Sequence, residues 1–174
     1  MFRRRSLALF PALALVLACE PNGFRTELKG EATVPGGPDG PLPGFPTLGA
    51  FTNVDFNATP EFKSQGVTKD HVSSARTEAV KVRVVSPTDQ DFGFLETLQL
   101  YIRSGDREAL IAERSGIAAL GLAAPGPTLA LEVKTDDLRL HIAAPSSSLI
   151  LRAKGNVPPK DTRLEVTVDF RVGF

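Results

Sequence analysis

The sequence predicts an all-β chain, an antiparallel β-sandwich standing behind a short leader that is cut away. Three observations carry this expectation. Apolar and polar residues alternate with period two from Val67 onward, as in strands with one wet face. Prolines fall between those runs and not inside them. The runs recur at a spacing of about 8 to 12 residues with turn residues between them, the rhythm of a sandwich or a barrel.

Taken in chain order, the first element is not part of the fold. Arg3, Arg4 and Arg5 precede a twelve-residue apolar run, Leu7 to Ala18, interrupted only by Pro11. A charged start, a short apolar stretch and a small residue at its end describe a secretory signal segment over residues 1–18. The run is shorter than the roughly 20 apolar residues a membrane-crossing helix needs. Arg4-Arg5-Ser6-Leu7 is also similar to a twin-arginine export motif, though ordinary leader charge accounts for it.

The single cysteine of the chain, Cys19, follows that run directly. With no second cysteine there is no disulfide within the chain. Val16-Leu17-Ala18-Cys19 resembles the lipobox of bacterial lipoproteins. The resemblance implies cleavage before Cys19, lipidation of its thiol and attachment to a membrane through the acyl chains. Two or three such chains anchor stably where one holds only marginally. Glu20 stands where aspartate would imply retention in the inner membrane, so the resemblance implies an outer-membrane location. Residues 19–26 are then anchor and short tether, and residues 27–174 a single domain of ordinary size.

Glu27 to Val34 is expected as the first strand. "PGGPDGPLPGFP", Pro35 to Pro46, holds five prolines and four glycines in twelve residues, which suits neither helix nor interior strand. Phe24, Phe45, Phe51, Phe56 and Phe62 flank and interrupt it. Spacers seldom carry so many large apolar groups, so the tract is expected as a loop of the domain, pinned to the core by some of these rings.

The later strands follow from alternation. Val80, Val82 and Val84 alternate with Lys81 and Arg83, and Leu98, Leu100 and Ile102 with Gln99 and Tyr101. Ser104-Gly105-Asp106 reads as a turn into "REALIAE", making a hairpin. "TLALEVK", "DLRLHIA", "SLILRAK" and "RLEVTVDFRVGF" complete the set, separated by prolines. Ile111 to Ala124 allows a short helical turn, weakened by Gly116 and Gly121. The expected product is a sandwich of immunoglobulin-like kind.

"VRVVSPTDQDFGFLETLQLYIRSGDREALIAE" followed by "LALEVKTDDL" resembles the rhythm of the late-embryogenesis-abundant type 2 (WHy) sandwich, with Ser86-Pro87-Thr88 in place of that family's asparagine-bearing turn. The chain is also similar in pattern to uncharacterised Gram-negative envelope lipoproteins. The shared positions are Gly30, Ala32, Val34, Pro35 and Gly36 early, a central "SP…FL..L..YI" beginning at Ser86-Pro87, and Gly155, Pro158, Asp161 and Thr162 late. Both resemblances imply a β-sandwich, and neither implies an activity.

Composition narrows the function classes. The chain has 20 basic and 20 acidic residues, and without the three leader arginines 17 face 20. No basic block stands out, which argues against nucleic acid. With no tryptophan and one tyrosine, Tyr101, few flat rings exist to stack sugars or bases.

Catalysis is not expected. Only His71 and His141 could act as imidazole bases, and neither sits in a Gly-x-Ser-x-Gly or His-Glu-x-x-His setting. His141 falls on the polar side of "LRLHI" and reads as a solvated strand residue. Zinc lacks a ligand cluster. Asp89-Gln90-Asp91 and Asp136-Asp137 offer oxygen ligands of the kind calcium takes, but turn chemistry explains both. No catalytic residue, metal or cofactor is therefore expected, and Cys19 is the one assigned site.

In the last stretch Leu164, Val166, Val168, Phe170, Val172 and Phe174 alternate with Arg163, Glu165, Thr167, Asp169 and Arg171. This resembles the C-terminal strand of outer-membrane β-barrels, and a strand of a sandwich gives the same alternation. The expected function is a non-catalytic binding or structural module of the cell envelope, lipid-anchored, with its protein partner unidentified. The alternatives are a small outer-membrane barrel, and a sandwich that carries a lipid or another apolar ligand between its sheets.

Overall fold

The structure, a computed structural model, describes residues 23–174. The expected signal segment 1–18, Cys19 and Glu20 lie outside the described residues. Eight strands and two short helices follow in the order β1 (Gly23–Val34), α1 (Pro60–Gln65), β2 (Ser74–Ser86), β3 (Leu95–Ser104), β4 (Arg107–Ser115), β5 (Thr128–Ala130), β6 (Glu132–Val133), α2 (Arg139–Ile142), β7 (Ser148–Gly155) and β8 (Thr162–Gly173). They make two four-stranded antiparallel sheets, β1-β8-β2-β5 and β6-β4-β3-β7. This is an all-β sandwich. Each sheet turns its apolar parity inward, and the two faces meet in one continuous core.

β8 is the spine of the first sheet. It pairs with β1 from Gly23↔Gly173 to Val34↔Thr162 without a break, and with β2 on its other side. Leu164, Val166, Val168, Phe170 and Val172 are fully buried, while the residues between them form the wet face. The apolar face of this strand therefore meets protein and not lipid. The barrel alternative fails here, because a membrane barrel turns that face outward.

β1 begins at Gly23, four residues ahead of the expected Glu27. Phe24 explains the difference. Its ring is buried and stacks edge-on against Phe62 of α1 at 4.9 Å, which draws the strand's first residues into the sheet.

The Pro/Gly tract lies along residues 155–161. The Gly37 N–H donates to the Pro158 carbonyl (3.0 Å), Val157 to Gly40 (2.9 Å), and Leu42 to Gly155 (2.9 Å). Gly36 donates to Asp161 Oδ1 at 2.8 Å. A Cβ at Gly36 would stand 2.3 Å from the Lys160 carbonyl carbon, so only glycine allows this approach. Beyond the tract, Phe51, Phe56 and Phe62 are fully buried and Phe45 is half-buried against the core.

Two expected strands take a different form. "TLALEVK" divides between the sheets: β5 pairs with β2, β6 pairs with β4, and the Leu131 N–H between them donates to the Val80 carbonyl at 3.0 Å. "DLRLHIA" is not a strand. Asp137 Oδ1 accepts from the Arg139 N–H at 3.0 Å and from the Ala75 N–H at 3.1 Å, which starts a helical turn and ties it to β2. Leu138 and Ile142, four residues apart, are then buried together while Leu140 is 53% exposed. The same three residues satisfy period two in sequence, which is why alternation misread them.

Candidate functional site

The paired registers of β1, β8 and β2 align three arginines that are far apart in sequence. Arg25 stands opposite Arg171, and Arg171 opposite Arg76. All three lie on the outward parity of their strands, so three guanidinium groups form a row across the sheet beside Gly23 and Gly173. Like charges placed directly opposite each other disfavour a sheet.

β2 softens the row with a bulge. The register shifts between Thr77 and Ala79, leaving Glu78 as the extra residue. Its carboxylate reaches across β8 to pair with the Arg25 guanidinium at 2.5 Å. Arg76 and Arg171 have no ion-pair partner among the described residues. The row lines an open groove of about 530 Å³ together with Glu78, Thr135 and Asp137. Asp137 Oδ1 accepts the two backbone N–H groups that set α2, and Glu78 pairs with Arg25, so the groove holds three guanidinium groups and two carboxylates already engaged by the protein. Planar guanidinium groups suit carboxylate or phosphate oxygens.

A second constellation lies where β3 ends. Ser104 Oγ and His141 Nδ1 are 2.9 Å apart, and both residues are buried. Ser147 Oγ donates to the His141 carbonyl at 2.6 Å. Burial pushes the His141 imidazole below its usual pKa, and the nearby Arg107 charge adds to the effect. His141 is thus not the solvated strand residue expected. It sits on α2, 7% exposed, and joins that helix to β3. A serine beside an imidazole is the start of a nucleophile–base pair, yet the pair needs a third group to orient the ring. Among the described residues no carboxylate hydrogen-bonds to the His141 ring.

The other residues singled out from sequence are accounted for by local structure. His71 is exposed, its Nδ1 2.8 Å from Thr68 Oγ1. Asp89 pairs with Lys160 Nζ at 2.6 Å, which holds its carboxyl below the usual range. Asp91 Oδ1 accepts from the Gly93 N–H at 2.8 Å, a turn bond. Among the described residues no group of three or more His, Cys, Asp or Glu comes together as a metal would require. Nor is any helix among them long and apolar enough to cross a membrane.

Sequence reading missed both constellations. Each arginine occupied an ordinary polar position of its strand, and only the register brings them into one row. The Ser104–His141 contact was hidden by reading α2 as a strand.

No family model matches the chain, and no curated protein matches it. Among solved structures, a chain from the empty head of turnip yellow mosaic virus is similar at 10% identity, over 98% of this chain and 90% of that one, with a TM-score of 0.28. A likeness this weak carries no functional inference.

Proposed function

We propose that the protein is a lipid-anchored module of the bacterial cell envelope, non-catalytic, held at the outer membrane by acyl chains on Cys19. Its arginine-lined groove is the surface that meets an anionic partner. The observation that carries the anchor is Val16-Leu17-Ala18-Cys19 at the end of an apolar run. β1 starts only four residues later, at Gly23. Even fully extended, four residues span at most about 14 Å, so Gly23 and the arginine row beside it stay close to the membrane surface. There an anionic headgroup or the acidic segment of a neighbouring envelope protein would find Arg76 and Arg171 available.

The carrier alternative draws no support from the core. Phe51, Phe56, Phe92 and Phe170 are each at most 1% exposed and belong to one continuous core.

Cys19→Ala decides the anchor. Expressed in a Gram-negative host with labelled palmitate, the native chain is expected to incorporate label and to sediment with outer membranes. The variant is expected to take up none and to appear as soluble or uncleaved protein. An unlabelled native chain, with the variant still bound to membranes, would overturn the reading.

A further inference from the structure

The four edges of the two sheets are unequal. β5 is three residues long and β6 two. β7 is eight residues long and is closed at both ends, where Val54 bridges to Ser147 and the Leu42 N–H bonds the Gly155 carbonyl. β1 is different. It runs for twelve residues, its ladder to β8 has no bulge and it contains no proline. Among the described residues, no backbone hydrogen bond outside that ladder engages Phe24 to Thr33. An edge of this length is a template for another strand, and its exposed charges, Arg25, Glu27, Lys29 and Glu31, decide which strand it accepts.

The side chains along this edge are self-complementary in one register. When β1 meets an antiparallel copy of itself centred on Leu28, the wet face sets Arg25 against Glu31 and Glu27 against Lys29, each twice. The inward face sets Leu28 against Leu28, Phe24 against Ala32 and Thr26 against Gly30, large beside small. Moving the centre by one residue either way reverses this pattern. Centred on Glu27, the strands oppose Glu27 to Glu27 and Arg25 to Lys29; centred on Lys29, they oppose Lys29 to Lys29 and Glu27 to Glu31. Opposite charges facing each other support a sheet and like charges oppose it, so the Leu28-centred register stands out from its neighbours. Leu28 is also the one inward residue of β1 that remains half-buried, while Phe24, Thr26, Gly30, Ala32 and Val34 are buried. In the paired state it would lie on the two-fold axis and be covered.

We propose that β1 is a homodimer interface, two copies joining edge to edge about Leu28 so that β5-β2-β8-β1 continues into its mate as one eight-stranded sheet. The contact is isologous and closes on itself, so it yields dimers and not filaments. It does not rest on the acylation of Cys19.

The test uses charge reversal at Glu27 and Lys29. These two residues ion-pair with each other within one chain at 3.2 Å and with nothing else among the described residues. The full chain, kept in mild detergent so that the result is independent of lipidation, is expected to sediment as a dimer. Glu27→Lys alone sets two ammonium groups against each other, the introduced one and that of Lys29 in the mate, twice per dimer. It is expected to weaken dimerisation about tenfold or more. Lys29→Glu should act likewise. Glu27→Lys with Lys29→Glu restores opposite charges across the two-fold and is expected to recover the native dimer. The circular dichroism of all three should match the native chain, because both positions are exposed. A native chain that stays monomeric at every concentration would overturn the proposal, and this includes the case in which the edge takes a strand from a different protein. Dimerisation insensitive to the single reversals, or not rescued by the double one, would overturn it equally.

Discussion

β8 and the segment from Phe45 to Phe62 bury large side chains by opposite means. β8 is hydrogen-bonded on both sides, and its five buried apolar side chains point inward because strand geometry gives them no other choice. Residues 45–62 have almost no ladder. Val54 makes one bridge, short helical turns stand on either side of it, and the chain is held chiefly by where its phenylalanines go. The two regions meet at a ring pair, Phe56 against Phe170, edge-on at 5.7 Å. In the ladder region, side-chain positions follow from the backbone; in the ring region the backbone follows from the side chains. The first tolerates a change of apolar shape, because hydrogen bonds still fix the strand. The second loses its path when a ring is lost.

The largest expected effect lies in the ladder. Val168→Asp puts a carboxylate at a fully buried position between two sheets. An unpaired buried charge costs several kcal/mol, a large part of the roughly 5–15 kcal/mol that typically separates folded from unfolded domains. Loss of the cooperative denaturation transition is expected. A variant that melts like the native chain would show that the core face of β8 is not sealed.

Next come the rings. Phe56→Ala and Phe170→Ala are each expected to destabilise by about 3–5 kcal/mol, read from urea midpoints. The comparison sharpens in their sensitivity to protease. Phe56→Ala should open sites within residues 45–72 while the sheet persists, whereas Phe170→Ala should lower global stability without a local cut. The double variant should fall short of additivity by about 0.5–1.5 kcal/mol, the coupling of an edge-on pair. Full additivity would mean that the two regions are energetically separate.

The smallest effect concerns His141, which closes the core where α2 meets β3. Its folded-state pKa lies below the ordinary 6.5 because burial disfavours the charged ring. Between the two values the unfolded chain binds a proton that the folded chain does not, so stability rises with pH in that window. The contribution is complete above about pH 6.5 and is lost as pH falls toward the folded-state pKa, by at most about 1.4 kcal/mol per pH unit. Urea midpoints between about pH 8 and pH 5 should show this slope in the native chain, and His141→Gln should remove it. Asp55 and Glu113 titrate lower, held down by Lys69 and Lys134, and leave this window clear.

The same division governs what could be read from sequence. Wherever the backbone dictates the side chains, alternation sufficed: β2, β3, β7 and β8 stand where Val80, Leu98, Leu149 and Leu164 placed them. Period two failed at Leu138, Leu140 and Ile142, because a spacing of four is shared by a strand and by one turn of helix, and Asp137 settled the choice through two backbone bonds. The rings of residues 45–62 could be recognised as core material but not placed, since their path depends on contacts distant in sequence. The arginine row belongs to the same class. Register is a property of the pairing, and no single strand displays it.

The position of β8 in the chain has a temporal meaning. It lies between β1 and β2 in space, yet it follows every other strand in sequence, and Gly23 must wait for Gly173 to find its partner. Topologies dominated by such distant pairings close slowly, because the entropy of loop closure is lost before the contacts offset it. A growing chain holding everything up to β7 still lacks the strand that β1 and β2 share, so its first sheet cannot assemble early. The second sheet is under no such delay, because β3 and β4 form a local hairpin. Of the two sheets, the one that bears the arginine row is therefore expected to form last.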